Sequence, residues 1–169
     1  MNPSQHIAPA LPRLTEPDEL AKILDELRAA GRRIVFTNGV FDLIHPGHVR
    51  FLQEARSLGD LLVVALNSDA SVRRIKGEKR PILPLVERGK ILASFECVDY
   101  VTWFDEDTPD AIIRLLKPDV LVKGADYTLD NIVGRDFVES RGGVVRALKF
   151  NHGFSSTAVI ERILRSAGK

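Results

Sequence analysis

The chain has 169 residues, 44% of them hydrophobic and 28% charged, with a formal net charge of +1 at pH 7. That length suits one domain with a sizeable core, and the small net charge removes a whole-molecule electrostatic case for nucleic acid or an anionic membrane. A single cysteine cannot close an internal disulfide, no apolar run is long enough to span a bilayer, and the N-terminus lacks the apolar stretch of a signal peptide, so a reducing cytoplasm is the expected compartment.

Residues 1–13, with Pro3, Pro9 and Pro12, read as a disordered tail in which His6 needs no role; residues 14–169 read as a single domain. Thr15 is expected to cap a first helix with Pro17 in its opening turn, Leu20, Ile23, Leu24 and Leu27 forming its apolar stripe and Gly31 its end. Residues 33–36 read as a buried strand and 49–58 as a helix. Between them lies Thr37-Asn38-Gly39-Val40-Phe41-Asp42-Leu43-Ile44-His45-Pro46-Gly47-His48.

A glycine, a carboxylate and two histidines therefore fall where a strand hands over to a helix. Ligands of open parallel sheets bind at that carboxyl edge, and a helix start offers unpaired N–H groups and a positive dipole end to anions. Pro46 suits the first turn, Gly47 leaves room for a ligand against the backbone, and imidazoles three residues apart can converge on one point. Two other readings compete. The histidines could be structural, or Asp42, His45 and His48 could bind a metal. Helical zinc pairs more often use an i, i+4 spacing, and Cys97 is isolated in the sequence.

Farther along, residues 61–66 form a continuous apolar run, as in a strand covered on both faces. Asn67-Ser68-Asp69 marks its polar end. Arg73, Arg74, Lys76, Lys79 and Arg80 follow in what reads as a loop, either solvated or a clamp for phosphates, the clamp being favoured. Residues 84–95 read as a helix carrying Arg88 and 100–103 as a short strand. Asp105, Glu106 and Asp107 read as the acidic entry to a helix at 111–116 rather than a metal cluster. A strand at 120–123 leads into Gly124-Ala125-Asp126-Tyr127. A short helix at 131–139, a turn at Gly142-Gly143, a strand at 144–148 and a last helix opened by Ser155-Ser156-Thr157 complete the order. Three hydroxyls at one helix start exceed what a cap needs and suit phosphate. The alternation predicts an α/β fold, a doubly wound five-stranded parallel sheet with helices on both faces. Neither Gly-x-x-x-x-Gly-Lys-Ser/Thr nor Gly-x-Gly-x-x-Gly occurs, which weighs against P-loop and dinucleotide-binding readings.

Gly39, Phe41, Asp42, His45, Gly47 and His48 match Gly-x-Phe-Asp-x-x-His-x-Gly-His, six residue types in ten positions. On that stretch the chain resembles the cytidylyltransferase-like nucleotidyltransferases, relatives of the "HIGH" aminoacyl-tRNA synthetases, with a Rossmann-like fold. Phe154-Ser155-Ser156-Thr157-Ala158 is similar to their second signature. Cytidylyltransferases usually carry Arg-Thr-x-Gly before it, whereas this chain has Asn151-His152-Gly153, a departure that argues against cytidine. Residues 67–74, Arg80-Pro81-Ile82, residues 118–127 and the closing Ser-Thr-Ala-Val-Ile-Glu-Arg-Ile look like a narrower group, the heptose 1-phosphate adenylyltransferases.

The resemblance implies transfer of AMP from ATP to a heptose 1-phosphate, giving ADP-heptose for the lipopolysaccharide inner core, with Mg²⁺ accompanying the ATP. It implies that His45 and His48 stabilise charge on the phosphates and that Lys76 and Arg88 hold the triphosphate or the incoming phosphate. Nucleotide contacts are expected from Asn38, Gly39, Phe41, Asp42, Gly47, Lys123, Gly124, Asp126, Ser155, Ser156 and Thr157. Substrate contacts are expected from Asn67, Asp69 and Lys76. Asp42 either orients its loop or helps hold Mg²⁺. A separate heptose kinase and phosphatase would supply the substrate; a homodimer is left open; nucleic acid and membrane are not expected partners. Alternatives are a transferase acting on glycerol 3-phosphate or pantetheine phosphate, or using GTP; a nucleotide-binding sensor without catalysis; and a metal hydrolase on Asp42, His45 and His48.

Overall fold

The structure is a computed structural model describing residues 14–124, 131–148 and 156–167. The expected tail at 1–13, and the expected site residues Asp126 and Ser155, lie outside the described residues. Five strands, β1 (Ile34–Gly39), β2 (Leu61–Asn67), β3 (Tyr100–Phe104), β4 (Val120–Gly124) and β5 (Val144–Leu148), form one sheet in the order β3-β2-β1-β4-β5. Every pairing is parallel. The chain winds one way from β1 to β3 and returns to the other side of β1 for β4 and β5. The switch point thus lies between β1 and β4.

The strands alternate two apolar faces, as the two-residue period requires. Ile34, Phe36, Leu61, Val63, Ala65 and Leu121 pack with Leu20 and Leu24 of α1 (Pro17–Ala29) and with Ile112, Ile113 and Leu116 of α5 (Asp110–Leu116). Val35, Leu62, Val64, Leu66, Val120 and Val122 pack with Phe51, Leu52 and Ala55 of α2 (Pro46–Arg56) and with Leu92 and Ala93 of α4 (Leu85–Ala93). Both faces are covered, which is why β2 is buried along its whole length and reads as an unbroken apolar run.

Local details depart from expectation in places. Thr15 does not cap α1: its N–H donates to Val101 O at 2.8 Å, and the Glu16 side chain accepts from Asp18 N instead. The basic stretch is not all loop, for residues 69–76 form the helix α3 (Asp69–Lys76), capped by Ser68 Oγ, which accepts from Ser71 N at 3.0 Å. Ser68-Asp69 was the available signal, a hydroxyl followed by an acid in a first turn. The last helix, α7 (Ser156–Ala167), buries no residue fully, and its Ile163 and Leu164 are exposed. The short helix expected at 131–139 is α6 (Arg135–Ser140).

At the amino edge of the sheet, aspartates receive the strand N–H groups that have no ladder partner. Asp60 Oδ2 accepts from Arg33 N at 2.7 Å, Asp119 Oδ2 from Ile34 N at 2.8 Å and Asp99 Oδ2 from Leu62 N at 2.7 Å. Ile34 is fully buried, so its N–H has no route to water. Asp119→Ala should therefore cost about 1–3 kcal/mol, the penalty for a stranded buried donor. Asp119→Asn, which keeps an acceptor oxygen, should lose less. Thermal unfolding followed by circular dichroism checks the order wild type, Asn, Ala.

Candidate nucleotide-binding site

After Gly39 the chain leaves β1 and turns sharply. Phe41 has φ of 46°, in the left-handed region that a bulky side chain rarely adopts. Its ring lies over Gly39: a Cβ there would meet the Phe41 ring at 3.0 Å, so glycine lets the turn close. The loop is then held at three points. Val40 O accepts from Arg88 Nη1 at 2.7 Å. Asp42 accepts from Ile82 N at 2.8 Å and Leu83 N at 2.9 Å through Oδ1, and from Arg80 Nε at 2.6 Å through Oδ2. Leu43 O accepts from Ser156 Oγ at 3.0 Å, which ties the start of α7 to the histidine loop across 113 residues of sequence.

His45 occupies the N-cap of α2 in an extended conformation, and its side chain makes no capping bond. The His45 and His48 rings stack, centroids 3.8 Å apart and 22° from parallel; the Phe41 ring lies 5.0 Å from that of His48. Burial lowers the pKa of His45. Burial, with repulsion from His45 added, lowers that of His48 to about 4. Both rings are thus neutral near pH 7, able to donate from one nitrogen and accept at the other. They sit at the first turn of a helix, where the dipole end favours anions.

Asp42 is 1% exposed. Burial raises its pKa, but the N–H groups of Leu83 and Ile82 and the Arg80 guanidinium outweigh this and hold the carboxyl below its ordinary value. Its oxygens are directed at the 80–83 segment. Of its two expected roles, orienting the loop is the one its bonds perform. Among the described residues no group of three or more His, Cys, Asp or Glu side chains is arranged to hold a metal ion.

Arg88, Asn67 and Asp69, expected as phosphate and substrate contacts, bond to the protein's own loops and strand ends. The Arg88 side chain is fully buried. It donates to Leu83 O at 3.0 Å, Val40 O at 2.7 Å, Asn67 O at 2.9 Å and Asp69 Oδ1 at 2.7 Å. Asp69 also accepts from Leu85 N at 2.9 Å, and the buried Asn67 amide donates to Ser71 Oγ at 3.0 Å. These three join the carboxyl end of β2 to the histidine loop and α4. A carbonyl at a strand's end has no ladder partner, so a five-donor side chain below it satisfies several at once. Nothing in the sequence distinguishes such an arginine from one that meets phosphate.

On the other side of the switch point, Lys123 donates from Nζ to Asn38 Oδ1, joining the ends of β4 and β1. Lys123 is 8% exposed, and burial lowers its pKa to about 8, so it remains a cation at neutral pH. Gly124 ends β4. Thr37, not foreseen, donates from Oγ1 to Val122 O at 2.9 Å; a lone hydroxyl within an apolar strand was the signal. Gly47 is buried in the first turn of α2, and Thr157 is exposed in the first turn of α7. Lys76 is exposed at the end of α3. Of the other cations near it, Arg74 pairs with Asp107 at 2.7 Å and Arg80 with Asp42, leaving Arg73, Lys76 and Lys79 exposed to solvent.

The family model described as cytidylyltransferase-like matches residues 36–162. The chain is 59% identical over 152 residues to the Bifunctional protein HldE of Geobacter sulfurreducens, covering 90% of this chain and 31% of that protein. It is 54% identical to the protein of the same name from Hahella chejuensis, again over 90% of this chain and 32% of the relative. It therefore spans about a third of the length of these relatives. Among solved structures, a lipopolysaccharide core biosynthesis protein from Thermoplasma volcanium superposes with a TM-score of 0.59 at 26% identity, covering 73% of this chain and 100% of that one. A pantoate-beta-alanine ligase from Francisella tularensis shares the fold, with a TM-score of 0.57 at 15% identity over 85% of this chain and 69% of the ligase.

Removing the Arg88 guanidinium would strand the carbonyls of residues 40, 67 and 83 together. Arg88→Ala is expected to lose on the order of 3 kcal/mol of stability, as when one partner of a buried ion pair is deleted. Calorimetric melting checks this. An unchanged melting temperature with lost turnover would instead make phosphate its principal partner.

Proposed function

The chain belongs to the cytidylyltransferase-like family, and from that premise we propose that it transfers AMP from ATP to a heptose 1-phosphate, releasing pyrophosphate and forming ADP-heptose. The observation that carries this reading is the stacked, neutral His45–His48 pair at the start of α2, beside the switch point, with the start of α7 hydrogen-bonded to the same loop. Two helix starts brought to one loop suit a polyphosphate. The longer likeness to the HldE proteins and to the lipopolysaccharide core protein supports the heptose.

A phosphate oxygen of the sugar attacks the α-phosphorus of ATP in line as the bond to the β-phosphate oxygen breaks. The sugar phosphate and ATP together bear six negative charges, and the products share the same six, so no proton need move. No enzyme nucleophile is required, and positioning with charge stabilisation does the work. His45 and His48 donate hydrogen bonds to the reacting phosphates. Ser156 and Thr157, with Ser155 beside them, receive the far phosphates at the α7 start. Lys76, on its exposed helix end, reaches toward the triphosphate or the incoming phosphate. Gly39, Phe41 and Gly47 shape the floor, and Gly124 faces the adenosine, which Asp126 is expected to contact. Arg88, Asn67 and Asp69 position the loops without touching substrate.

Mg²⁺ enters on the triphosphate as part of the substrate. Asp42, committed to residues 80–83, is not set to coordinate it. The sugar must arrive already phosphorylated at its anomeric carbon, from a kinase and phosphatase acting earlier. Among the described residues no helix is long and apolar enough to cross a membrane, and the cytoplasm is the proposed site of action.

Incubation with ATP, Mg²⁺ and heptose 1-phosphate should yield ADP-heptose by mass spectrometry, whereas free heptose should yield none and CTP far less. Reaction with another phosphorylated alcohol alone would keep the transferase and remove the heptose. His45→Ala and His48→Ala should each lower kcat by roughly a hundredfold, the size typical of losing one transition-state donor. Because burial lowers the pKa of both imidazoles, kcat, which reports the substrate complex, should not rise on acidification through the ordinary histidine value of 6.5. A rise on acidification through that value would mean that an imidazolium is the working form.

A further inference from the structure

Asn67 and Asp69, expected to hold the sugar phosphate, bond instead to Ser71, Leu85 and Arg88. Arg73, Lys76 and Lys79 are exposed, and a long side chain free in water loses rotamer entropy when a ligand orders it. Arg80, in the same basic stretch, is already ordered. Its side chain is 17% exposed, and its Nε donates to Asp42 Oδ2 at 2.6 Å, where the carboxylate is fully enclosed.

Neutralising Asp42 does not account for the geometry of this pair. A guanidinium that serves only a carboxylate favours two parallel bonds to its two oxygens. Here Oδ1 is occupied by the N–H groups of Ile82 and Leu83. Arg80 engages Oδ2 through Nε, and among the described residues its terminal amino groups make no further hydrogen bond. Those groups carry the rest of the side chain's N–H donors. Asp42 lies three residues before His45, on the loop that presents the histidine pair. The guanidinium is therefore anchored beside that loop with its fork open, and a ligand that meets it pays little for ordering.

Topology decides which phosphate the fork meets. The strand order β3-β2-β1-β4-β5 puts β2 and β4 on opposite sides of β1. Val35–Val120 and Phe36–Leu121 are the register pairs of β1 with β4, although the strands run on to Gly39 and Gly124, so the two part toward the carboxyl edge. In the proposed reaction the nucleotide lies on the β4 side, with its far phosphates at α7, which follows β5. Residues 80–83 follow β2 and α3 and hold the histidine loop from the β2 side. In-line displacement needs the attacking and leaving oxygens on opposite faces of the α-phosphorus. The β2 side is thus the acceptor's.

We infer that Arg80 is the acceptor-phosphate contact: held on Asp42 through Nε, its terminal amino groups bind two oxygens of the sugar's phosphate monoester and leave the third to attack the α-phosphorus. The inference rests on the nucleotidyltransferase reading. It assigns the acceptor class as a phosphate monoester, because a diester has too few free oxygens to be held by two and attack with a third.

The test is Arg80→Lys, which keeps a cation for Asp42 and loses the fork. KM for the sugar phosphate should rise by about tenfold or more, the size of one lost charge-assisted hydrogen bond. KM for ATP should stay within about threefold, and the melting temperature should change little. An arginine that only anchored the loop would be rescued by lysine, with the acceptor KM near wild type, whereas Arg80→Met would lower kcat and the melting temperature together. Kinetics are read at a temperature where circular dichroism shows the variant folded. Arg80→Gln, whose amide can still donate to Asp42, replaces Arg80→Lys if the latter does not fold. The second readout needs neither sugar nor nucleotide: calorimetric titration with inorganic phosphate should show binding to the unmodified protein that weakens by about tenfold or more in the variant. If phosphate binding depends on Arg80 but no heptose phosphate reacts, the sugar assignment fails and the phosphate contact stands. An acceptor KM that Arg80→Lys leaves unchanged, or a phosphate affinity that is undetectable in wild type or within about threefold of it in the variant, overturns the inference.

Discussion

A buried guanidinium holds the carboxyl edge of this sheet together. Arg88 is fully enclosed and places donors on the carbonyls of Val40, Asn67 and Leu83 and on the carboxylate of Asp69. Parallel strands end with carbonyls that no ladder satisfies, and loops leaving them bring more. Arginine suits the position because its planar fork offers five donors in fixed directions and is never neutral. Asp42 completes the arrangement with opposite sign, for it receives the N–H groups of Ile82 and Leu83 and the Arg80 guanidinium. One buried cation gathers the edge's carbonyls and one buried anion its N–H groups. Between them the strained turn at Phe41, and hence the histidine pair beyond it, has one place to go.

The two edges of the sheet are thereby given different work. At the amino edge, Asp60, Asp99 and Asp119 close off strand N–H groups, a purely stabilising use of carboxylates. At the carboxyl edge, the groups needed for chemistry are left on top of a satisfied foundation. Where β1 and β4 separate, Thr37 and the Lys123–Asn38 contact span the opening. The site is placed by topology, at the one point where successive crossovers run in opposite directions, and is equipped by the residues that happen to end those two strands.

Electrostatics follow from burial more than from composition. The net charge of +1 says nothing of a site in which two histidines are held neutral and a lysine is held charged within one sheet edge. Low local dielectric disfavours all three cations. The imidazoles, with ordinary values near neutrality, lose theirs, while the lysine, starting several units higher, keeps its own.

Several features were determined by the sequence alone. The continuous apolar run at 61–66 and the alternation of strands with helical stretches pointed to a parallel sheet covered on both faces, because a doubly buried strand suits such a run. Gly39-Val40-Phe41-Asp42 and His45-Pro46-Gly47-His48 marked the candidate site, since a strand-to-helix turn with this chemistry has few structural uses. Tertiary structure alone decided which polar residues bond to the protein's own backbone. Arg88, Asn67 and Asp69 carry the same side chains as phosphate and sugar contacts would, and only the fold turns them inward onto unpaired backbone groups. The helix at 69–76 escaped a reading drawn to the five cations of residues 73–80, because its buried face is only Ser71 and Val72. The contact of Ser156 with Leu43 O and the separation of β1 from β4 join residues 113 and 85 positions apart. Local pattern records periodicity and turns, but partners so distant are chosen only when the chain closes on itself.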